Sequence, residues 1–293
     1  MINVEGENAT VEDTASEVIA FKMSAISKGY YSDKYMKYFA GDILYGSQLP
    51  HQNFGTFIRS YMIRYVVKSF FDKFGPKSQV VSLGSGFDTL YWRLRDENIQ
   101  FSKFIEVDKQ FVVAKKQKYL ENQVFQPLDN YILCDLDLNL EESTNVLNTL
   151  LIPDLPTLFI DEFSLIYLQP QVIQRLLKFF AGKGAFISYG MTNLGDDFGD
   201  LIKEGFNDMG IPLYGADFAQ STEEFITKAL DIGFECADAQ NAVFVVKHKI
   251  PIEERKRISR LEYFDDPHEV DFILSHYAFY AAGSEYFIKD LLN

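Results

Sequence analysis

A glycine turn followed by regularly placed acids is the part of this sequence that could do chemistry. Residues 80–89 read VVSLGSGFDT, an apolar β-branched run that ends in Gly84, Ser85 and Gly86. A turn of this kind lets a ligand approach the backbone, because glycine carries no side chain. Nicotinamide nucleotides, flavins, phosphates and S-adenosylmethionine are all held on such turns. The turn alone therefore does not identify its ligand.

Four acids stand at the ends of later apolar segments. Asp108 ends FIEVD, Asp135 follows YILC, and Asp161 and Glu162 end LFIDE. In an open α/β sheet, ligands bind beyond the carboxyl ends of the strands, where the strand order switches. We therefore expect these four carboxylates to form an acidic rim beside the glycine turn.

The charge of this rim favours a cationic ligand over a diphosphate. A dinucleotide fingerprint needs a third glycine three positions after Gly86, but the chain has Thr89 there and Asp88 beside it. A carboxylate at that turn would repel a pyrophosphate. S-adenosylmethionine has no phosphate and carries a ribose diol, an adenine amine, an ammonium and a sulfonium group, all of which suit carboxylates. The sequence thus predicts S-adenosylmethionine as the cofactor.

Each acid has an expected role. Asp108 lies about 20 residues after the glycines, as a ribose-binding acid does in both nucleotide classes. Asp135 can accept a hydrogen bond from the adenine amine, and Glu162 can pair with the ammonium or lie near the methyl group. Any one of these acids taken alone could equally be a solvated strand end or a helix N-cap.

The segments that carry these residues predict a doubly wound α/β fold with a mostly parallel sheet. Amphipathic helical stretches such as 109–122 and 170–181 alternate with short apolar segments, which is typical of a parallel sheet covered on both faces. The predicted strands are 79–83, 103–108, 131–136, 156–162 and 185–190.

The last part of the chain is less clear from its pattern. Residues 233–239 and 276–283 alternate well enough to be a closing strand pair, which makes seven strands. Residues 242–249 are rich in β-formers but lead into the helix-like stretch 251–264, so their assignment stays open.

Helices are expected before and after the five strands. Residues 1–13 are predicted to be a disordered tail, and the next helix should end at Gly29. Ser32 or Asp33 should begin another, and 53–75 is predicted to be a longer one. We therefore divide the chain into a tail and helical N-terminal cap (1–75) and an S-adenosylmethionine-binding core (76–293), which includes a helical insertion (191–232) after the fifth strand.

Composition excludes several classes of protein. The 293 residues, 47% of them hydrophobic, can bury a large core, and the formal charge of −14 argues against a nucleic-acid partner. No run approaches the ~18 apolar residues of a membrane span. The two cysteines form no CxxC pair and the four histidines show no metal-ligand spacing, so we expect no metal. These features favour a cytoplasmic protein, and we expect a monomer.

Several segments, in this order, resemble the leucine carboxyl methyltransferases. The resemblance runs from about residue 14 to residue 283, and its most specific parts are FKMSAISKGYYSDKYM, NFGTFIRSYMI, LGSGFDTLYWRL, FIEVD, LPTLFIDEFSLIYL and NLGDDFG. It implies a Rossmann-like class I S-adenosylmethionine-dependent methyltransferase that methylates the C-terminal leucine of the type 2A protein phosphatase catalytic subunit. One departure is Tyr31, where the family often has an aromatic residue such as tryptophan.

The resemblance also implies site residues. Lys22 and Arg59 match the family's cationic contacts, and Tyr167 matches a tyrosine that lines its pocket. Arg59 and Tyr167 are the implied catalytic residues, and Arg59 would hold a carboxylate of either the acceptor or the cofactor. The implied cofactor contacts are Lys22, Arg59, Gly84, Asp108, Asp135, Leu136 and Glu162, to which the glycine turn adds Gly86.

No Ser-His-Asp or Cys-His arrangement can be picked out, and an acceptor carboxylate needs none. A terminal carboxyl has a pKa of about 3.3 to 3.7, so at neutral pH it is already a nucleophile. We expect the cap and residues 191–232 to wall a deep, narrow pocket. The alternatives are a small-molecule O-methyltransferase of the same fold and a protein that binds S-adenosylmethionine or the phosphatase without catalysis. A nicotinamide oxidoreductase is disfavoured.

Overall fold

The computed structural model describes residues 11–41, 46–121, 125–289 and 291–292, with side chains from residue 14 onward. These residues form a seven-stranded sheet in the order β3-β2-β1-β4-β5-β7-β6. The strands are β1 (Gln79–Leu83), β2 (Lys103–Asp108), β3 (Tyr131–Asp135), β4 (Thr157–Glu162), β5 (Ala185–Met191), β6 (Cys236–Asn241) and β7 (Tyr277–Gly283).

Helices cover both faces of the sheet, as the alternating sequence pattern predicts. They are α1 (Val11–Ser27), α2 (Met36–Ala40), α3 (Pro50–Phe74), α4 (Leu90–Asp96), α5 (Gln110–Glu121), α6 (Ser143–Leu150), α7 (Pro170–Ala181), α8 (Asp197–Asp208), α9 (Thr222–Ile232), α10 (Ala242–His248), α11 (Ile252–Ile258), α12 (Pro267–Ser275) and α13 (Glu285–Ile288).

The strand order reverses between β1 and β4, and this reversal determines where a ligand-binding site is expected. β1 pairs in parallel with β2 on one side and with β4 on the other, with Leu83 opposite both Val107 and Asp161. The segments after β1 and β4 therefore leave the sheet side by side at their carboxyl ends, where ligands bind in open α/β sheets. β5 is also parallel, whereas β7 runs antiparallel between β5 and β6.

Neighbouring residues of the central strands point to opposite faces, as strand geometry requires. Val80 and Leu158 lie in a core shared with α1–α5 and α10–α13, whereas Val81 and Phe159 lie in a core shared with α6, α7 and α9. Because α1–α3 share one continuous core with the sheet, they are fixed relative to the strand ends. The division of the chain at residue 75 stays a prediction.

Turn chemistry sets the ends of the N-terminal helices. α1 is followed by Gly29, whose φ of +84° suits glycine, and α3 ends before Gly75 with a φ of +74°. Pro50 begins α3, at the first helical position where its missing N–H costs nothing. The Asp33 carboxylate accepts from the backbone N–H groups of Tyr35 and Met36 at the start of α2.

The predicted sheet is confirmed. β1–β5 agree with the predicted strands to within one residue at each end, and β6 and β7 form the predicted closing pair. The open segment 242–249 is helical over α10, and the helix predicted at 251–264 is limited to α11. Of the predicted disordered tail, residues 1–10 lie outside the described residues, and α1 already begins at Val11.

The helices predicted after the fifth strand are confirmed as α8 and α9, but α9 is not part of a separate cap. Its Phe225 and Ala229 are buried against the sheet, and the Phe225 ring lies 4.7 Å from the Tyr280 ring of β7. α9 is therefore the helix that leads back along the sheet to β6. No helix in the described ranges is long and apolar enough to cross a bilayer.

Candidate functional site

The glycine turn after β1 packs tightly against the turn after β4. Gly84 and Gly86 have φ values of +55° and +51°, a region that favours glycine. A Cβ on Gly84 would lie 2.4 Å from the Cβ of Ser164, so no larger residue fits there without displacement. The Ser164 hydroxyl donates to the Leu83 carbonyl at 3.0 Å. The close contact of these turns fixes the floor of the site.

Asp108 lies beside the glycine turn, as the sequence predicts. Its Oδ2 accepts from the backbone N–H of Gly86 at 2.7 Å, and its Oδ1 accepts from the N–H of Lys109 at 2.8 Å. The carboxylate is half-buried and lines the main cavity. It can therefore meet a polar ligand group that rests on the turn.

The other expected acids are not all at the rim. Asp161 is buried and accepts hydrogen bonds from both the N–H and the hydroxyl of Ser164, from the Leu165 N–H and from the Ser188 hydroxyl. Burial raises its pKa, although these hydrogen bonds oppose the rise. The exposed side chain of Asp135 does not line the cavity, whereas Leu136 and Asp137 do. The acidic rim is thus smaller than predicted.

Glu162 is held by the two cationic residues that the family resemblance implies. Lys22 Nζ, from α1, lies 3.2 Å from Glu162 Oε1. Arg59, from α3, donates through Nε to the same oxygen and through Nη2 to the Glu162 carbonyl at 3.1 Å. Burial lowers the pKa of Arg59, but the negative charge of Glu162 outweighs this effect and raises that pKa above its ordinary value. Arg59 therefore stays protonated.

Asp88 joins the same group of charges. Lys22 Nζ donates to Asp88 Oδ1 at 3.0 Å, and Arg93 Nη2 lies 3.8 Å from that oxygen. Burial would raise the pKa of Asp88, but Lys22, Arg93 and Lys116 outweigh it and hold the pKa well below its usual range. We call this group the ion cluster, which comprises Lys22, Asp33, Arg59, Asp88, Arg93 and Glu162.

The ion cluster revises the charge argument made from the sequence. Asp88 was expected to repel a pyrophosphate, yet its charge is offset by Lys22 and Arg93. Glu162 is likewise paired with Lys22 and Arg59. The selection against a diphosphate is therefore weaker than the acids alone suggest.

Aromatic rings surround the end of β4. Phe163 has a φ of +67°, a strained conformation for a bulky residue that is often found at functional sites. The Arg59 guanidinium lies 5.8 Å from the ring centroids of both Phe163 and Tyr189. Tyr167 lines the cavity, and burial raises its pKa to about 12, against the opposing influence of Thr14 and Arg59. Its hydroxyl therefore stays protonated at neutral pH.

These residues enclose one cavity of about 1130 Å³ of empty space, open solvent at its mouth included. Of the predicted site residues, the cavity brings together Lys22, Arg59, Gly84, Gly86, Asp108, Leu136, Glu162 and Tyr167. Its remaining walls come from α1 and from the segments that follow β1, β2, β3 and β4. None of residues 191–232 is among the lining residues that the structure describes, so the expectation that they wall this pocket is wrong.

The cavity fits a cofactor of the predicted kind. The Ser85 hydroxyl is buried in its lining and has no hydrogen-bond partner among the described residues. Two glycines leave the backbone approachable, Asp108 offers carboxylate oxygens, and Leu136 adds an apolar surface. Together these groups suit a ligand that combines hydroxyl, amine and apolar parts, as S-adenosylmethionine does.

Sequence reasoning missed three contributors. Phe163 and Ser164 follow Glu162 directly and shape the cavity, but nothing in their residue types announces the positive φ or the contact with Gly84. Asp137 lines the cavity two positions after the expected Asp135. Because side chains two positions apart on an extended chain point the same way, Asp137 could have been considered as a second candidate after Asp135.

Solved structures share this architecture. A DUF574 family protein from Streptomyces avermitilis superposes with a TM-score of 0.58 at 11% identity, over 92% of this chain and 97% of that chain. The plantazolicin methyltransferase BamL superposes with a TM-score of 0.50 at 10% identity, over 93% and 98%. The strand order and these likenesses define a class I S-adenosylmethionine-dependent methyltransferase fold.

Sequence comparison narrows the class. The leucine carboxyl methyltransferase family model matches residues 7–181. Leucine carboxyl methyltransferase 1 of Rattus norvegicus is 28% identical over 98% of this chain and 93% of its own length. A probable counterpart from Caenorhabditis briggsae is 27% identical over 94% and 91%. The chain belongs to the leucine carboxyl methyltransferase family, which confirms the resemblance.

A second kind of relative also matches. The tRNA wybutosine-synthesizing protein 4 of Rattus norvegicus is 28% identical over 94% of this chain, but only 44% of that protein is covered. The chain is similar to one part of that longer protein.

Proposed function

We propose that this protein is an S-adenosylmethionine-dependent carboxyl O-methyltransferase that esterifies the C-terminal leucine of the type 2A protein phosphatase catalytic subunit. The observation that carries the proposal is the pairing of Arg59 and Lys22 with Glu162 beside the glycine turn of one cavity. Membership of the leucine carboxyl methyltransferase family supports the leucine acceptor.

Different residues of the chain would contact different groups of the cofactor. The backbone at Gly84 and Gly86 allows close approach, and Asp108 can accept hydrogen bonds from a diol. Leu136 offers an apolar contact, and an adenine contact for Asp135 remains a proposal because its side chain lies outside the cavity lining. When bound, S-adenosylmethionine supplies an electrophilic methyl group on a sulfonium. Glu162 places negative charge at the same end of the cavity as Lys22 and Arg59.

The acceptor needs orientation rather than deprotonation. A peptide carboxyl with a pKa of about 3.3 to 3.7 is ionised at neutral pH, so no general base is required. Arg59 can hold a carboxylate, and the protonated Tyr167 hydroxyl can donate to one. Alignment of an acceptor oxygen with the methyl group can supply ~7 to 11 kcal/mol of the barrier reduction.

Charge favours a protein acceptor over tRNA. The formal net charge of −14 gives no long-range attraction to a polyanion such as tRNA. A tRNA substrate, which the wybutosine relative's name suggests, is therefore disfavoured for this chain.

Transfer of a tritiated methyl group to purified phosphatase tests the proposal. We expect base-labile label on the intact catalytic subunit and none on a subunit that lacks its final leucine. A small carboxylic acid serves as a second acceptor in parallel. Label on the small acid but not on the phosphatase would instead assign a small-molecule O-methyltransferase, and cofactor binding without any ester would assign a non-catalytic protein.

A further inference from the structure

Two charged side chains are fully buried next to the cofactor cavity but do not line it. Lys116 of α5 and Glu106 of β2 form an ion pair, and their side chains are 0% and 1% exposed. The Tyr131 hydroxyl of β3 donates to the same Glu106 oxygen at 2.6 Å. The Lys116 ammonium also lies 5.7 Å from the ring centroid of Phe39 and 5.8 Å from that of Trp92. Side chains from β2, α2 and α4 therefore surround this ammonium.

This ion pair is unfavourable to bury. Burial raises the pKa of the Glu106 carboxyl, although the charge of Lys116 and the hydrogen bonds from Lys116 and Tyr131 oppose the rise. Replacement of a buried ion pair by well-packed apolar residues of similar volume often leaves protein stability unchanged or increases it. Stability alone is therefore a weak reason for placing these two charges here.

A further contact of Lys116 leads to the cofactor cavity. Its Nζ donates to the backbone carbonyl of Asp88 at 2.9 Å, and the Asp88 N–H donates to the Ser85 carbonyl of the glycine turn at 3.1 Å. The Asp88 carboxylate accepts from Lys22 at 3.0 Å, and Lys22 lies 3.2 Å from Glu162. Asp88, Lys22 and Glu162 all line the cavity. Lys116 thus holds the main chain of the residue whose side chain orients Lys22.

Two acids of β2 hold the two halves of the glycine turn. Glu106 and Asp108 are two positions apart on the strand, so their side chains point to the same face of the sheet. Asp108 accepts directly from the Gly86 N–H at 2.7 Å. Glu106 acts through Lys116, which reaches the Asp88 carbonyl. The position of Asp88 is therefore set by β2 and α5 together.

We propose that Lys116 is a positioning residue of the methyltransferase site, which fixes the main chain of Asp88 so that Lys22 and Glu162 are oriented before S-adenosylmethionine binds. Glu106 holds Lys116 in place. The inference rests on the cofactor part of the proposed function and does not depend on which acceptor is methylated. Because Lys116 acts through Asp88, its loss should weaken cofactor binding by roughly threefold to thirtyfold, as for residues that influence a ligand without touching it.

Two variants that differ only at residue 116 test this inference. Glu106→Gln removes the carboxylate but leaves the Lys116 hydrogen bond to Asp88, whereas Lys116→Met/Glu106→Gln removes both charges and that hydrogen bond. The double variant leaves no lone buried charge from the pair, so we expect it to fold. Urea unfolding of each variant verifies that the titrated protein is folded. Calorimetric titration with S-adenosylmethionine, without acceptor, should give a Kd roughly threefold to thirtyfold higher for the double variant than for Glu106→Gln.

Lys103→Met is the matched control, because Lys103 also donates to a backbone carbonyl, that of Leu150, at 2.9 Å. Lys103 lies at the opposite end of β2 and does not line the cavity. This variant should bind the cofactor as the unaltered protein does.

Equal Kd values for Glu106→Gln and the double variant would overturn the inference and leave Lys116 a purely structural residue. A higher Kd in the double variant, together with no ester formed by the natural protein, would support the inference and contradict the proposed function alone. A natural protein that does not bind S-adenosylmethionine would overturn both.

Discussion

Arg59 contacts Glu162 through two donors, with Nε directed to the side-chain oxygen Oε1 and Nη2 directed to the backbone carbonyl at 3.1 Å. One residue of α3 thereby fixes both the side chain and the main chain at the end of β4. The positions of the cavity wall and of the strand end are consequently linked.

Arg59→Ala is expected to abolish most methyl transfer while the protein stays folded. Lys22 remains 3.2 Å from Glu162, so the buried carboxylate keeps a cationic partner. Loss of charge-assisted hydrogen bonds at about 1.5–3 kcal/mol predicts roughly a tenfold to hundredfold fall in kcat/KM. Arg260→Ala, at an exposed position, is the control. Full activity of the Arg59 variant with a normal thermal unfolding curve would remove Arg59 from the site.

Asp108→Ala is expected to weaken cofactor binding. The variant removes the acceptor of the Gly86 N–H and the carboxylate that faces the cavity, so both the turn and the ligand lose a contact. Calorimetric titration with S-adenosylmethionine should show a Kd raised by roughly tenfold or more. Asp129→Ala, an exposed acid elsewhere on the surface, should bind normally. An unchanged Kd for the Asp108 variant would contradict its role as a diol acceptor.

Gly84→Ala is expected to destabilise the protein and to disrupt cofactor binding. The added Cβ would meet Ser164 Cβ at 2.4 Å, and the φ of +55° is unfavourable for alanine. Gly55→Ala is the matched control, because it lies within α3 with nothing within 4 Å of the new Cβ. That change should stabilise the helix by up to about 1 kcal/mol. Equal unfolding midpoints for the two variants would refute the close packing of the two turns.

Asp88→Asn is expected to lower the free energy of unfolding at neutral pH. It should also make that free energy depend less on pH in the acid range. The pKa of Asp88 is lowered in the folded protein, so the unfolded chain takes up the proton first as the pH falls. The stabilisation is complete above about pH 4 and is lost as the pH falls from there through the lower folded pKa. Removal of one buried partner costs about 3–5 kcal/mol.

Urea unfolding at neutral pH and at several acid pH values measures this effect. The difference in free energy of unfolding between the natural protein and Asp88→Asn should shrink as the solution becomes more acidic. Asp129→Asn, at an exposed position, should leave the profile unchanged. A difference that stays constant with pH would mean that Asp88 has the same pKa in the folded and in the unfolded protein, which would contradict its pairing with Lys22 and Arg93.

Most of the sheet could be predicted from sequence because its strands are buried on both faces and read as short apolar runs. Residues 242–249 could not, since their β-formers fold as α10. The Asn241 side chain accepts from the Phe244 N–H at 2.9 Å and begins the helix, while Ala242 and Val245 are buried. Here packing and a helix cap outweigh intrinsic preference.

The site was predictable only in part, because the side chain of an acid at a strand end can point to either face of the sheet. Asp161 and Glu162 are adjacent, so their side chains point in opposite directions and only Glu162 reaches the cavity. The pairing of Lys22 with Asp88 joins residues 66 positions apart, which no local pattern reveals. Spacing identified the right strands but could not decide which acids face the ligand.

The aromatic rings beside Arg59 reduce the side-chain entropy that Arg59 would lose when a ligand binds. A free arginine side chain has about 2 kcal/mol of rotamer freedom to lose when it is immobilised. With Phe163 and Tyr189 each 5.8 Å away and Glu162 anchoring two nitrogens, Arg59 has already lost most of that freedom on folding. A carboxylate that docks on Arg59 therefore meets a guanidinium that is already oriented before the ligand arrives.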